Sequence, residues 1–106
     1  MHFLKPLYVG EGIRNIRRVC FRLSHGAGMK DVYVISLAKE NGQLECTHNA
    51  YLKQRILRKH LGAVVGVAKG YKEAIRLIIQ ITEETVEQTG TADIKAYLVS
   101  RQELKD

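Results

Sequence analysis

The chain has 106 residues, of which 45% are hydrophobic and 26% charged, and it carries a net charge of +6 at neutral pH. That length supports one modest core, so a single α+β domain over residues 1–106 is expected, and the apolar content excludes intrinsic disorder. No apolar run approaches the roughly 20 residues that cross a bilayer, and no signal-peptide hydrophobic region opens the chain, which argues for a cytoplasmic protein with no membrane partner. The charge is uneven: residues 1–72 hold 13 Lys and Arg against four acids, whereas residues 73–106 hold four against seven. Such a split can draw an anionic partner to the basic part or pair two copies through opposite halves as a homodimer.

Leu4 to Val9 reads as a short strand, with Pro6 suited to an edge because proline donates no ladder hydrogen bond. Gly10-Glu11-Gly12 breaks it. Arg17 to Leu23 alternates, with Val19, Phe21 and Leu23 on one side and Arg18, Cys20 and Arg22 on the other, the pattern of a half-buried strand whose arginines meet water. A glycine-rich loop, Ser24 to Lys30, then leads to a second run, Asp31 to Ala38, apolar on both faces.

Asn41-Gly42 favours a two-residue hairpin turn, because both residues tolerate positive φ. A return strand Gln43 to His48 then pairs Leu37 with Cys46 and Ile35 with His48. This puts Tyr33, Ile35, Leu37, Leu44, Cys46 and His48 on the core side and Val34, Ser36, Glu45 and Thr47 on a watered side. Asn49 is positioned to cap a helix through His60. Leu61 to Ala68 is small and apolar on both faces, as a strand in mid-sheet is.

From Tyr71 to Thr89 polar residues recur every three or four positions, which outweighs the β-branched content and predicts an amphipathic helix. Its apolar stripe is Tyr71, Ala74, Ile75, Ile78, Thr82 and Thr85, and Gly90 is its C-terminal stop. Thr91 opens a last short helix with Ile94, Tyr97 and Leu98 inward and a frayed tail from Ser100. The expected fold is an antiparallel sheet of four to five strands, packed on one face by the helix at 71–89 and one or two shorter helices.

Three loci carry candidate chemistry. Lys69, Gly70, Tyr71 and Lys72 stand where a strand meets a helix N-terminus, whose free N–H groups and partial positive charge favour an anion. His25, Gly26, Gly28 and Lys30 form a loop able to offer backbone N–H groups and positive charge, although the glycines match no nucleotide-binding fingerprint. Arg14, Arg17, Arg18, Arg22, Lys53, Arg55, Arg58 and Lys59 are a basic set able to contact a phosphate backbone. The plain alternatives are a tight turn, a strand connection and a solvated face.

Cys46 and His48 share one strand face with Cα atoms about 7 Å apart, wide for thiol activation. One such pair, with Cys20 or His25 to complete it, falls short of a zinc site, so a buried thiol and a hydrogen-bonded imidazole are expected. No catalytic residue, metal or cofactor is assigned. The sequence specifies no activity; it favours a small accessory or interaction module binding an anionic partner, nucleic acid foremost, through its basic surface. The alternative is a small-ligand domain or enzyme using the Gly70 junction or the His25 loop.

Overall fold

The computed structural model describes residues 1–105. The elements run β1 (Phe3–Val9), α1 (Ile16–Ser24), β2 (Val32–Leu37), β3 (Leu44–His48), a 3-10 segment (Asn49–Lys53), α2 (Arg55–His60), β4 (Val64–Lys69), α3 (Tyr71–Thr89) and α4 (Ile94–Lys105). The four strands lie in the order β1-β4-β2-β3. β2 is antiparallel to both β3 and β4, but β1 pairs parallel with β4, so the sheet is mixed where an antiparallel one is expected. Pro6 sits on the edge strand, as its missing donor demands. Among the described residues, no helix is long and apolar enough to cross a membrane.

The described residues form no fifth strand, because Arg17 to Leu23 is helical. The seven residues satisfy a period of two, but the longer window satisfies a period of 3.6, with Ile16, Val19, Cys20 and Leu23 on one side. Both ends are capped. Asn15 Oδ1 accepts from the Arg18 N–H at 3.1 Å. At the other end Gly26, at φ 70°, follows the last turn, and the Gly26 and Ala27 N–H groups return to the carbonyls of Leu23 and Arg22 at 3.2 and 2.9 Å. This double closure is the left-handed helix stop that glycine favours.

Helices cover both faces of the sheet, not one. Leu4, Tyr8, Ile35, Leu37, Val65 and Ala68 face α3 and α4, which contribute Ala74, Leu77, Ile81 and Leu98. Val32, Val34, Val64 and Val67 face the other way, under Leu23 of α1 and Leu52 of the 3-10 segment. Ser36, on the side expected to meet water, is therefore fully buried, and its hydroxyl has no hydrogen-bond partner. The buried stripe of α3 is Ala74, Leu77, Ile81 and Thr85, rotated from the expected one so that Tyr71 stands exposed. Gly90 ends α3 at φ 74°, its N–H donating to the Val86 carbonyl at 2.8 Å.

The β2–β3 hairpin is slipped by two residues from the two-residue turn: Leu37 pairs with Leu44 and Ile35 with Cys46. Ala38 and Gly42 close a longer loop, the Ala38 N–H donating to Gln43 and the Gly42 N–H to Ala38. A shift of two preserves which side chains share a face, so Ile35, Leu37, Leu44 and Cys46 still point to the first core. The helix expected over Asn49 to His60 is split into the 3-10 segment and α2 at Gln54, whose ψ of 123° is extended. α4 continues past Ser100 to Lys105 in place of a frayed tail; Asp106 lies outside the described residues.

A polar lock ties the two ends of the chain together. The Tyr8 hydroxyl on β1 donates to Glu84 of α3 and accepts from Arg101 of α4. Tyr97 donates to the same carboxylate at 3.0 Å, and Arg101 pairs with it at 3.3 Å while lying over the Tyr8 ring. Burial, followed by the hydrogen bond to Glu84, pushes the Tyr8 hydroxyl pKa well above its ordinary value of 10.0. The unfolded chain releases this proton more readily, so the stabilisation is complete below pH 10 and is lost as pH rises above it. Tyr8→Phe is expected to cost about 1 to 2 kcal/mol at pH 7 and to flatten the fall in stability above pH 10. Urea unfolding at pH 7, 9 and 10.5 measures this; an unchanged alkaline slope contradicts it.

Candidate functional site

The structure brings residues of all three sequence loci to one groove. A cleft of about 750 Å³ runs between α1, the end of the glycine-rich loop and the end of β4, lined by Gly12, Arg14, Arg18, Arg22, Gly28, Lys30 and Lys69 with apolar neighbours. Five of its lining side chains are cationic and none is acidic. The single ion pair among the described residues joins Arg101 to Glu84, so no groove cation there has a carboxylate partner. Arg14, Arg18 and Lys30 are exposed. Arg22 is half-buried and donates to the Gly28 carbonyl at 3.0 Å, which fixes both the guanidinium and the loop. This differs from the outer-face strand position expected for Arg22.

The loop contributes charge more than backbone donors. The N–H groups of His25, Gly26 and Ala27 close the end of α1, and the Met29 N–H donates to Asn49 Oδ1 at 2.8 Å. His25 lies outside the groove, its ring stacked on Phe21 at 4.1 Å and its Nδ1 2.7 Å from the Phe21 carbonyl oxygen. The loop and the β4–α3 junction are joined directly, since the Gly70 N–H donates to the Asp31 carbonyl at 2.6 Å.

At that junction the protein supplies its own anion. Glu73, in the first turn of α3, turns back so that its carboxylate accepts from the backbone N–H groups of Gly12 (2.7 Å) and Lys69. A carboxylate there also complements the positive end of the helix. Lys69 passes along Gly12 into the groove, whereas Tyr71 and Lys72 do not line it. Tyr71 is exposed and meets Tyr33 edge-on, with ring centres 5.7 Å apart.

The remaining basic residues divide. Arg58 is committed to structure, donating to the carbonyls of Leu52 (2.8 Å) and Lys53 (3.0 Å) beside Gly26. Lys53 packs along Gly28 without lining the groove. Arg17 stands exposed on α1, and Arg55 and Lys59 stand on α2, a helix with no buried residue; none of the three lines the groove.

Cys46 lies against the α3 side of the sheet and Cys20 is carried by α1 on the opposite side, so the two thiols do not meet. Burial raises the pKa of both, which leaves the nucleophilic thiolate scarce. His48 Nδ1 accepts from the Ala50 N–H at 3.0 Å and its ring meets Tyr33 edge-on. No group of three potential metal ligands occurs among the described residues.

Sequence reasoning missed Asn49 and Glu73. Asn49 is not a helix cap; it is buried, and besides accepting from Met29 its amide donates to the carbonyls of Met29 (2.7 Å) and Val32 (2.9 Å). It pins the wall of the groove to β2. The legible signal for Glu73 was its place in the first turn of a helix; for Asn49 there was none, because its partners lie 17 and 20 positions away. Asn49→Ala leaves buried backbone groups unpaired and is expected to cost about 2 to 4 kcal/mol, with earlier proteolytic cleavage between Gly26 and Lys30. Urea unfolding and timed proteolysis measure both, and a loss under 1 kcal/mol with unchanged cleavage contradicts the assignment. No protein-family model, curated protein or solved structure matches the chain.

Proposed function

We propose that this protein is a small interaction module that binds nucleic acid through the groove between α1, the Gly28–Lys30 loop end and Lys69. The observation that carries the reading is the convergence of Arg14, Arg18, Arg22, Lys30 and Lys69 on one cleft with no acid in its lining. Cations left without carboxylate partners keep their full charge for a ligand. A polyanion that neutralises them also releases its condensed counterions, which drives association and makes it salt-dependent. The groove is held by structure that a ligand need not order: Arg22 on Gly28, Asn49 on Met29 and Glu73 on Gly12. Such preorganisation lowers the entropic cost of binding.

The volume of the groove also suits a small anionic ligand, the class served by cavities of about 300 to 1,000 Å³. The two readings separate by length. A small-ligand site saturates with a mononucleotide or inorganic phosphate, whereas a backbone-binding groove gains affinity as the oligonucleotide lengthens.

Fluorescence anisotropy with labelled 20-nucleotide DNA and RNA at low salt is the direct test. Five phosphate contacts predict that the logarithm of affinity falls with the logarithm of salt with a slope of about −3.5 to −4.5. Arg14→Glu with Arg18→Glu is expected to weaken binding by more than about tenfold while the circular dichroism spectrum is unchanged, because both side chains are exposed. No change in anisotropy at micromolar protein, or full affinity in the double variant, rules the reading out.

A further inference from the structure

We infer that the nucleic acid bound is single-stranded, with an unpaired base stacked on the exposed Phe21–His25 face of α1. The inference rests on the nucleic-acid reading above and deepens it. Phe21 is 63% exposed, on a helix that buries Leu23 only two positions later. Two helical positions differ by about 200° of rotation, so packing Leu23 against the sheet turns Phe21 outward.

The ring is not a loose surface group. His25, one turn on, lies against it with centroids 4.1 Å apart and planes at 27°. The imidazole is itself fixed by the Phe21 carbonyl oxygen, 2.7 Å from Nδ1. The imidazole covers one face of the Phe21 ring and leaves the other open to solvent, so the open face is held in place before any ligand arrives, and an aromatic anchor of this kind loses little conformational entropy on binding.

Its surroundings select the occupant. Arg17 precedes Phe21 by one turn, and Arg18 and Arg22 form the adjoining row that enters the groove. No acidic residue occurs in α1. A neutral apolar partner would leave these cations desolvated and unpaired, whereas a nucleic acid strand offers phosphates to the arginine row and bases to the ring. In a duplex the base faces are occupied by their neighbours and only backbone and groove edges remain accessible. An aromatic surface beside a basic groove is the arrangement that binds unpaired strands with little sequence preference.

The test compares a 20-nucleotide mixed-sequence single strand with a blunt duplex of the same length, by anisotropy at one salt concentration. Wild type is expected to prefer the single strand. Phe21→Ala is expected to lower single-strand affinity about tenfold and to leave duplex affinity unchanged. Phe21→Leu should behave as the alanine variant and Phe21→Trp should restore binding, since the contact requires a ring and not apolar area alone. The thermal midpoint of each variant checks that the fold is kept. Equal affinity for both forms, or a Phe21→Ala variant that binds the single strand as wild type does, overturns the inference while leaving the basic-groove reading intact. Absence of binding to either form overturns both.

Discussion

The structure is governed by two strands that are apolar on both faces. β2 and β4 occupy the middle of the sheet, and each must be covered twice: Ile35, Val65 and Ala68 on one side, Val34, Val64 and Val67 on the other. One layer of helices cannot do this. α3 and α4 cover the first side, so α1 and the 3-10 segment are drawn to the second, with Leu23 and Leu52 as the residues that seal it. Burial of side chains of this size is worth roughly 1.5 to 3 kcal/mol each, so the two-sided demand dominates any local preference of residues 17–23.

The proposed binding surface follows from that placement. Once Leu23 is inward, helical geometry sends Phe21 out and turns Arg18 and Arg22 toward the end of β4. The end of α1 delivers the Gly28–Lys30 segment to the same place, where Asn49 and Arg22 hold it. Lys69 arrives from β4 and is kept beside Gly12 by the turn that Glu73 anchors. Glu83, Glu84 and Glu87 lie away from the groove on α3, Glu84 committed to the lock with Tyr8, Tyr97 and Arg101, whereas Glu73 stays at the groove edge, spent on the Gly12 and Lys69 N–H groups. The charge asymmetry of the sequence thus appears in the fold as a helix α1 with no acid and an α3 that carries Glu83, Glu84 and Glu87.

Much of this was legible where a signal is local. The helix at Tyr71–Thr89 declared itself through polar spacing and Gly90, and the mid-sheet strand through the unbroken small apolar run ending at Ala68. Face assignments in β2 and β3 survived a wrong turn length, because a two-residue slip conserves side-chain parity. The failure at Arg17–Leu23 came from a window that fits both periods; Asn15 ahead of it and Gly26 behind it carried the deciding information. The double burial of Asp31–Ala38 also implied a second covering layer, and Ser36, polar but buried, hid that implication. The groove itself was illegible as a unit, since Arg14, Lys30 and Lys69 are separated by 16 and 39 positions and only the sheet brings them together. The cationic residues were identifiable one by one; which of them are spent on structure, as Arg58 is, required its two carbonyl partners to be seen.

The central claim is that the α1 side of the sheet, and not the α3 side, is the binding surface. Titrating isotope-labelled protein with a single-stranded oligonucleotide and following amide resonances by NMR tests it most directly. The account predicts saturable shifts concentrated in residues 14–25, 28–30 and 69, with Gly12 joining them and the outer face of α3 around Ile79 and Val86 unmoved. Shifts centred on α3 and α4, or none at all at low salt and millimolar protein, would contradict it.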